Sequence, residues 1–176
     1  MPNYVYTATS IDGFIAREDG NIDWLLDIPN PDGSDFGFAR FMENIDALVM
    51  GRNTFETVIT FDEWLYSKPV FVYSSKLKEI PEKYREKAEI ISGTPQEVVT
   101  LLNSRGFNNL YIDGGAAIRS FLNEGLIDEF IITRIPILLG RGIPLFKEIP
   151  FEQKFIHSKT EILNDMLVKS HYIRIK

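Results

Sequence analysis

The stretch "LYIDGGAAIRSFL", residues 110–122, contains two adjacent glycines where a predicted strand meets a predicted helix. The apolar run at 109–113 is typical of a strand, and the pattern over 116–125 is typical of a helix. Glycine weakens both kinds of element because it adds backbone freedom and no side chain to pack. Two glycines at this junction therefore indicate a tight turn or a backbone that lies against a bound group.

A second corner of the same kind occurs earlier in the chain. "VMGRNTFE" (49–56) also places glycine at the carboxyl end of an apolar strand, directly before a predicted helix. In open α/β sheets ligands bind at this edge, where helix N-termini offer free N–H groups to anions. One such glycine could serve only a turn. Two corners favour a ligand site, although the glycines alone do not identify the ligand, because neither corner has a dinucleotide or phosphate-loop motif.

The order of the other segments predicts an α/β fold. Segment 11–24 is expected to be a loop, and 154–163 and 166–176 flank Asn164-Asp165 as an antiparallel hairpin. Alternating β and α units before such a hairpin predict one three-layer α/β/α domain over 1–176, with a mixed, mostly parallel sheet. The expected strands are 4–10, 46–50, 68–75, 88–92, 109–113 and 128–138, and the expected helices are 35–44, 52–60, 94–106 and 116–125. Ser34 is expected to cap the first of these helices, and Thr94 and Glu97 are expected to form a capping box at the third.

Composition narrows the class of partner. The chain has 176 residues, a net charge of −6 and no cysteine. An acidic chain without a basic cluster is not expected to bind nucleic acid or an anionic membrane surface. Without cysteine, and with only two widely spaced histidines, no metal site is expected. The N-terminal residues do not resemble a signal peptide and no apolar run could span a bilayer, so a cytoplasmic protein is expected.

The end of a third strand carries a group that suits phosphate. In "VYSSK" (72–76) the side chains of Ser74, Ser75 and Lys76 can donate to phosphate oxygens, and Arg52 lies at the neighbouring corner. Such a set favours a 2′-phosphate, hence NADP over NAD. The alternative is a solvated strand end made of common turn residues.

Four motifs, taken together, resemble those of a known family, and the resemblance covers nearly the whole chain. "MGRNTFE" followed by "YIDGGAAIRSFL" is similar to the dihydrofolate reductase fold. "SIDGFIA" (10–16) and "ITRIPILLGRGIPLF" (132–146) are closer to the reductase domain of the bacterial riboflavin-biosynthesis deaminase-reductase and its stand-alone relatives. The resemblance implies an NADPH-dependent reductase. The deaminase zinc motif is absent from the sequence, so deamination is not expected.

The resemblance also implies which residues bind the cofactor. The nicotinamide would lie beside Ala8 and Ile15, and the adenosine phosphate beside Ser74, Ser75 and Lys76. The "GRNT" corner would meet the cofactor phosphates through Gly51, Arg52, Asn53 and Thr54. The pyrophosphate would rest on Gly114, Gly115, Ala116, Ala117 and Ile118, with Ala116 where the family often has a third glycine.

The resemblance implies one catalytic acid. Folate-reducing members use a carboxylate at the start of the first helix, which corresponds here to Asp35. A partly buried Asp35 could grip a pteridine or pyrimidine edge and carry a proton. Alternatively, Asp35 has only a structural role, because an acidic side chain stabilises the first turn of a helix. Asp12 is a second candidate acid, for which a turn role is favoured. "GRGIPLF" (140–146) is either a rim of the substrate cleft or a dimer contact, or else a plain surface turn.

The leading hypothesis is therefore an NADPH-dependent reductase of a small heterocyclic substrate, pterin-like or pyrimidine-derived. Because relatives often pair, a homodimer is expected. A non-catalytic nucleotide-binding or regulatory module with the same fold is the alternative. A folded α/β protein that binds no dinucleotide is the third reading.

Overall fold

The computed structural model describes residues 1–175 and has ten strands and five α-helices over that range. A single 3-10 turn, Glu82–Tyr84, precedes the fifth strand. The strands are β1 Asn3–Ser10, β2 Phe14–Ala16, β3 Ala47–Gly51, β4 Val70–Tyr73, β5 Ala88–Ile91, β6 Leu110–Asp113, β7 Glu129–Ile135, β8 Ile143–Pro144, β9 Phe155–Leu163 and β10 Leu167–Arg174. The helices are α1 Asp23–Leu26, α2 Phe38–Glu43, α3 Arg52–Val58, α4 Pro95–Ser104 and α5 Gly115–Asn123.

Eight strands form one sheet in the order β5-β4-β3-β6-β1-β7-β10-β9. The first six are parallel, and β10 runs antiparallel to both β7 and β9. Asn164 and Asp165 connect β9 to β10 with φ of 50° and 55°, as a tight hairpin turn requires. The predicted mixed, mostly parallel sheet with an antiparallel hairpin is confirmed; Lys176, the last residue of the predicted hairpin, lies outside the described residues.

Both faces of the sheet are covered. All five residues of β3 are buried, and alternate side chains enter two different cores. Val49 packs on the face that α4 and α5 cover, next to Phe121. Leu48 packs on the opposite face with Phe41 of α2 and Phe55 of α3. A strand buried on both faces reads as a continuous apolar run, which is why "DALVM" predicted it.

Helix α2 begins later than predicted. Phe36 and Gly37 have φ of 53° and 87°, in the left-handed region, so the helix starts at Phe38 and not at Asp35. The Asp35 carboxylate accepts N–H bonds from Gly37 and Ala39, both at 2.8 Å. The expectation that Ser34 caps this helix is wrong: its hydroxyl accepts the N–H of Phe36, ahead of the helix. By contrast, the predicted capping box of α4 is present.

Segment 11–24, expected to be a loop, contains β2 and the first two residues of α1. Strand β2 pairs antiparallel with β8, which belongs to "GRGIPLF". Asp12 joins the same two segments, since its carboxylate accepts the N–H groups of Leu139 and Gly140 and the Ser10 hydroxyl. These bonds lower the pKa of Asp12, the Ser10 hydrogen bond most of all, and they agree with the favoured turn role.

Candidate active-site cleft

A cleft of about 360 Å³ lies at the carboxyl ends of β1, β3 and β6. Register explains why the two glycine corners share it: Met50 pairs with Asp113, so the turns that follow β3 and β6 are neighbours. The rim includes Ile143 of β8, which makes "GRGIPLF" part of the cleft wall and not a plain surface turn. Thus the two corners recognised in the sequence meet at one site.

Gly114 and Gly115 have different roles. Gly114 has φ of 84°, and a Cβ there would overlap the Thr54 hydroxyl, so this position serves the backbone turn. At Gly115 a Cβ would lie 2.5 Å from Ile15 Cδ1 and 2.8 Å from Arg119 Nη1, two side chains of the cleft. The missing side chain of Gly115 therefore lets Ile15 and Arg119 pack against the first turn of α5.

The cleft contains many of the predicted cofactor residues. Helix α5 points its N-terminus into it, and no side chain within residues 1–175 caps that first turn. Its N–H groups are available to an anion because the first turn of a helix has no internal acceptors. The predicted residues that line the cleft are Ile15, Gly51, Asn53, Thr54, Gly114, Gly115, Ala116 and Ile118.

Three further predicted cofactor residues do not line the cleft. Ala8 packs in a small core with Trp24, and Thr7 is the β1 residue that lines the cleft. Ala117 is buried in the core beneath α5. Arg52 forms an exposed ion pair with Glu56 along α3, at 3.1 Å. Their contacts with a cofactor stay predictions.

Ser74, Ser75 and Lys76 follow β4 beside the cleft. The register pairs Gly51 with Tyr73, so this strand end adjoins the first glycine corner, but the three residues do not line the cleft itself. The Ser74 hydroxyl accepts the N–H groups of Lys76 and Leu77 and shapes the turn. Ser75 and Lys76 are exposed. A role toward a 2′-phosphate stays a prediction.

Asp35 lies outside the cleft, at an exposed depression that it shares with Phe38 and Lys68. Hydrogen bonds from the N–H of Ala39, and then of Gly37, lower the pKa of its carboxyl. A lowered pKa favours the carboxylate over the acid at neutral pH. The structure thus supports the alternative role of Asp35 at the start of α2, and its assignment as proton donor stays a prediction.

A different carboxyl group lies inside the cleft. Asp113 ends β6, directly before Gly114, whose N–H bonds its Oδ1 at 2.8 Å. Burial raises the pKa of Asp113 to about 6, although the nearby Tyr111 hydroxyl and the Gly114 N–H act in the opposite direction. The sequence did carry a signal for this residue, because it is the acidic end of an otherwise apolar strand next to the glycine pair.

Two tyrosines accompany Asp113. Tyr66 lines the cleft, and burial, followed by the charge of Asp113, raises its pKa. Tyr111 lies one pleat before Asp113 on the same face of β6, and its hydroxyl donates to the Tyr6 carbonyl at 2.9 Å. Burial also raises the pKa of Tyr111. Both phenols therefore keep their protons at neutral pH.

The fold and the cleft define an α/β protein of the dihydrofolate reductase-like class. The chain belongs to the RibD C-terminal domain family, whose model matches residues 4–168, and this confirms the resemblance stated from the motifs. It is a reductase-like family. Within residues 1–175, no helix is both long and apolar enough to cross a membrane.

Individual relatives agree with this family. The chain is 36% identical to the uncharacterized protein YwjB of Bacillus subtilis (strain 168), over 97% of this chain and 96% of that one. A Shewanella sp. PV-4 crystal structure, provisionally named a riboflavin biosynthesis protein, is 48% identical, covers both chains fully and superposes with a TM-score of 0.96.

A more distant structure shows the same fold. It is the Thermotoga maritima diaminohydroxyphosphoribosylaminopyrimidine deaminase/5-amino-6-(5-phosphoribosylamino)uracil reductase, with a TM-score of 0.75 over 99% of this chain. The present chain spans 56% of that protein. At 14% identity the likeness concerns the fold alone.

Proposed function

We propose that the protein is an NADPH-dependent oxidoreductase that reduces a small heterocyclic, pterin-like or pyrimidine-derived compound. The observation that carries the proposal is the position of Asp113: a carboxyl with a pKa of about 6 shares one cleft with the uncapped N-terminus of α5. The uracil reductase named for the Thermotoga protein is a precedent for a pyrimidine-derived substrate within this fold.

The residues present suit a dinucleotide. The first-turn N–H groups of α5 face the cleft, where they can bind a diphosphate, and Gly115 lets the Arg119 guanidinium lie beside them. Ser74, Ser75 and Lys76 adjoin the other glycine corner, at Gly51, and would hold the 2′-phosphate that distinguishes NADPH from NADH. When bound, this coenzyme supplies a hydride.

Asp113 would supply the proton. Reduction of a C=N or C=O bond adds a hydride to carbon and a proton to the heteroatom. With a pKa of about 6, the carboxyl is protonated in roughly a tenth of the molecules at pH 7. A pKa near the working pH is what general acid catalysis favours. Tyr66 keeps its own proton beside Asp113 and can donate a hydrogen bond to the substrate.

The apolar part of the cleft lining suits a flat ring. Val58, Phe61 and Leu65 line it on and after α3, with Tyr66 beside them. Apolar walls with a few convergent polar groups are typical of small-molecule sites. Asp113 and Tyr66 are among the polar groups of the cleft and could orient the heteroatom edge of such a ring. A homodimeric assembly also belongs to the proposal.

Two measurements test the function. NADPH should quench the fluorescence of the tryptophans, and a panel of pterins and pyrimidines that includes dihydrofolate should contain a compound that oxidises bound NADPH. In Asp113→Asn we expect turnover to fall on the order of a hundredfold, because the acid is lost, while the Kd for NADPH stays unchanged. If NADPH binds but no pterin or pyrimidine oxidises it, the non-catalytic module is the better account. If NADPH does not bind, the proposal is wrong.

A further inference from the structure

One basic side chain of the cleft was not expected from the sequence. Arg119 lies on α5, four residues after Gly115, so both residues lie on one face of the helix. Its Nη1 is 2.8 Å from the point that a Gly115 Cβ would occupy. Side chains on a helix lean toward its N-terminus, which brings the guanidinium back to the uncapped first turn.

Arg119 has an incomplete set of partners inside the protein. Its Nη1 donates to the Pro144 carbonyl at 2.9 Å, which is a neutral acceptor. In the described part of the chain, none of the ion pairs between carboxylates and basic groups includes Arg119. A guanidinium has five N–H donors, and a partly buried cation without a counter-charge is unfavourable. Burial accordingly lowers the pKa of Arg119.

We propose that Arg119 binds the diphosphate of the dinucleotide coenzyme, together with the first-turn N–H groups of α5. This inference rests on the proposed function. Three features meet at one point: a cation without a carboxylate partner, uncapped helix N–H groups, and a glycine, Gly115, that lets the guanidinium approach the first turn. Guanidinium and phosphate pair through two parallel hydrogen bonds, which makes arginine well suited to this group.

The hydrogen bond to Pro144 also links Arg119 to the edge of the cleft. Pro144 belongs to β8, which pairs with β2, and β2 carries Ile15 into the cleft. Because one guanidinium would bind both the Pro144 carbonyl and the diphosphate, it would link the bound anion to the β2–β8 strand pair. Coenzyme binding should therefore protect the backbone N–H groups of β2 from hydrogen exchange, and this protection should depend on Arg119.

The test compares two ligands that share the diphosphate. NADPH contains the nicotinamide, whereas 2′-phospho-ADP-ribose has the same diphosphate and 2′-phosphate without it. In Arg119→Gln we expect Kd for both ligands to rise by the same factor, about 10 to 100, which is typical for the loss of charge-assisted hydrogen bonds. Arg119→Lys should give an intermediate loss of affinity, because lysine keeps the positive charge but cannot form two parallel hydrogen bonds.

Arg85→Gln is the matched control, since Arg85 is exposed and its pair with Glu79 is long, at 3.9 Å. It should bind both ligands as the wild type does, with all variants checked for folding by circular dichroism. Unchanged affinity of Arg119→Gln for both ligands would overturn the inference. So would a loss confined to NADPH, because Arg119 would then face the nicotinamide. A wild-type protein that binds neither ligand would refute the proposed function as well.

Discussion

Replacing Asp113 by asparagine should stabilise the folded protein at neutral pH while removing the proposed acid. Burial raises the pKa of Asp113 from 3.8 to about 6. A difference of about two units corresponds to roughly 3 kcal/mol by which folding is disfavoured when the carboxylate is ionised. Asparagine has nearly the same shape and can still accept the Gly114 N–H. We therefore expect a gain of up to about 3 kcal/mol, and for a chain of this size roughly 2–4 °C in Tm per kcal/mol.

The gain should depend on pH in a defined direction. Because the native state binds this proton more tightly than the unfolded chain, wild-type stability falls as pH rises from about 4 to about 6 and then levels off. The asparagine variant lacks this component. The difference in unfolding free energy between the two proteins should thus be small at about pH 4 and complete above about pH 6.5.

Urea unfolding followed by tryptophan fluorescence, at about pH 4 and pH 7.5, measures this difference. Asp12→Asn is the control of opposite sign. Hydrogen bonds, that from Ser10 first, lower the pKa of Asp12, so its ionised form stabilises the fold above the unfolded pKa, and this contribution is lost as pH falls through the folded value. If Asp113→Asn were no more stable than wild type at pH 7.5, or equally shifted at both pH values, the burial argument would be refuted.

Three further substitutions test the corners. Gly115→Val should raise Kd for NADPH more than tenfold in a folded protein, because the branched side chain meets Ile15 and Arg119. An unchanged Kd in a titration would contradict coenzyme binding at the Gly114–Gly115 corner. Lys76→Glu should weaken NADPH far more than NADH, and an equal loss for both would exclude Lys76 from the 2′-phosphate. Gly114→Ala should lose about 1–3 kcal/mol of unfolding free energy in urea, because φ is 84° and the new Cβ overlaps the Thr54 hydroxyl; a wild-type midpoint would contradict this.

Features that depend on neighbouring residues could be predicted from the sequence. The apolar run of β3, the capping box that begins at Thr94 and the Asn164-Asp165 turn all appear where expected. In each case the decisive contacts join residues a few positions apart. Strand β2 was missed for the opposite reason. It exists because Phe14 pairs with Pro144, at the other end of the chain.

The choice between the two candidate acids could not be made from the sequence for the same reason. Asp35 and Asp113 both stand at the border of a helix, and each has a plausible chemical role. Local N–H groups hold Asp35 as an exposed carboxylate, whereas Asp113 lies in the cleft with Tyr66 near it. The enclosing residues come from segments that are remote in the chain, so no local pattern could rank the two acids.

From the sequence alone came the alternation of strands and helices, the hairpin at the end and the two glycine corners, since patterns of side-chain size and polarity encode them locally. Parallel order then made those corners meet at one edge of the sheet. Only the tertiary structure decided that Gly114 serves the turn and Gly115 the cleft, that Asp113 is the desolvated acid and that Arg119 lacks a carboxylate partner. Burial and charge pairing depend on atoms that are distant in the chain and become neighbours only when it folds.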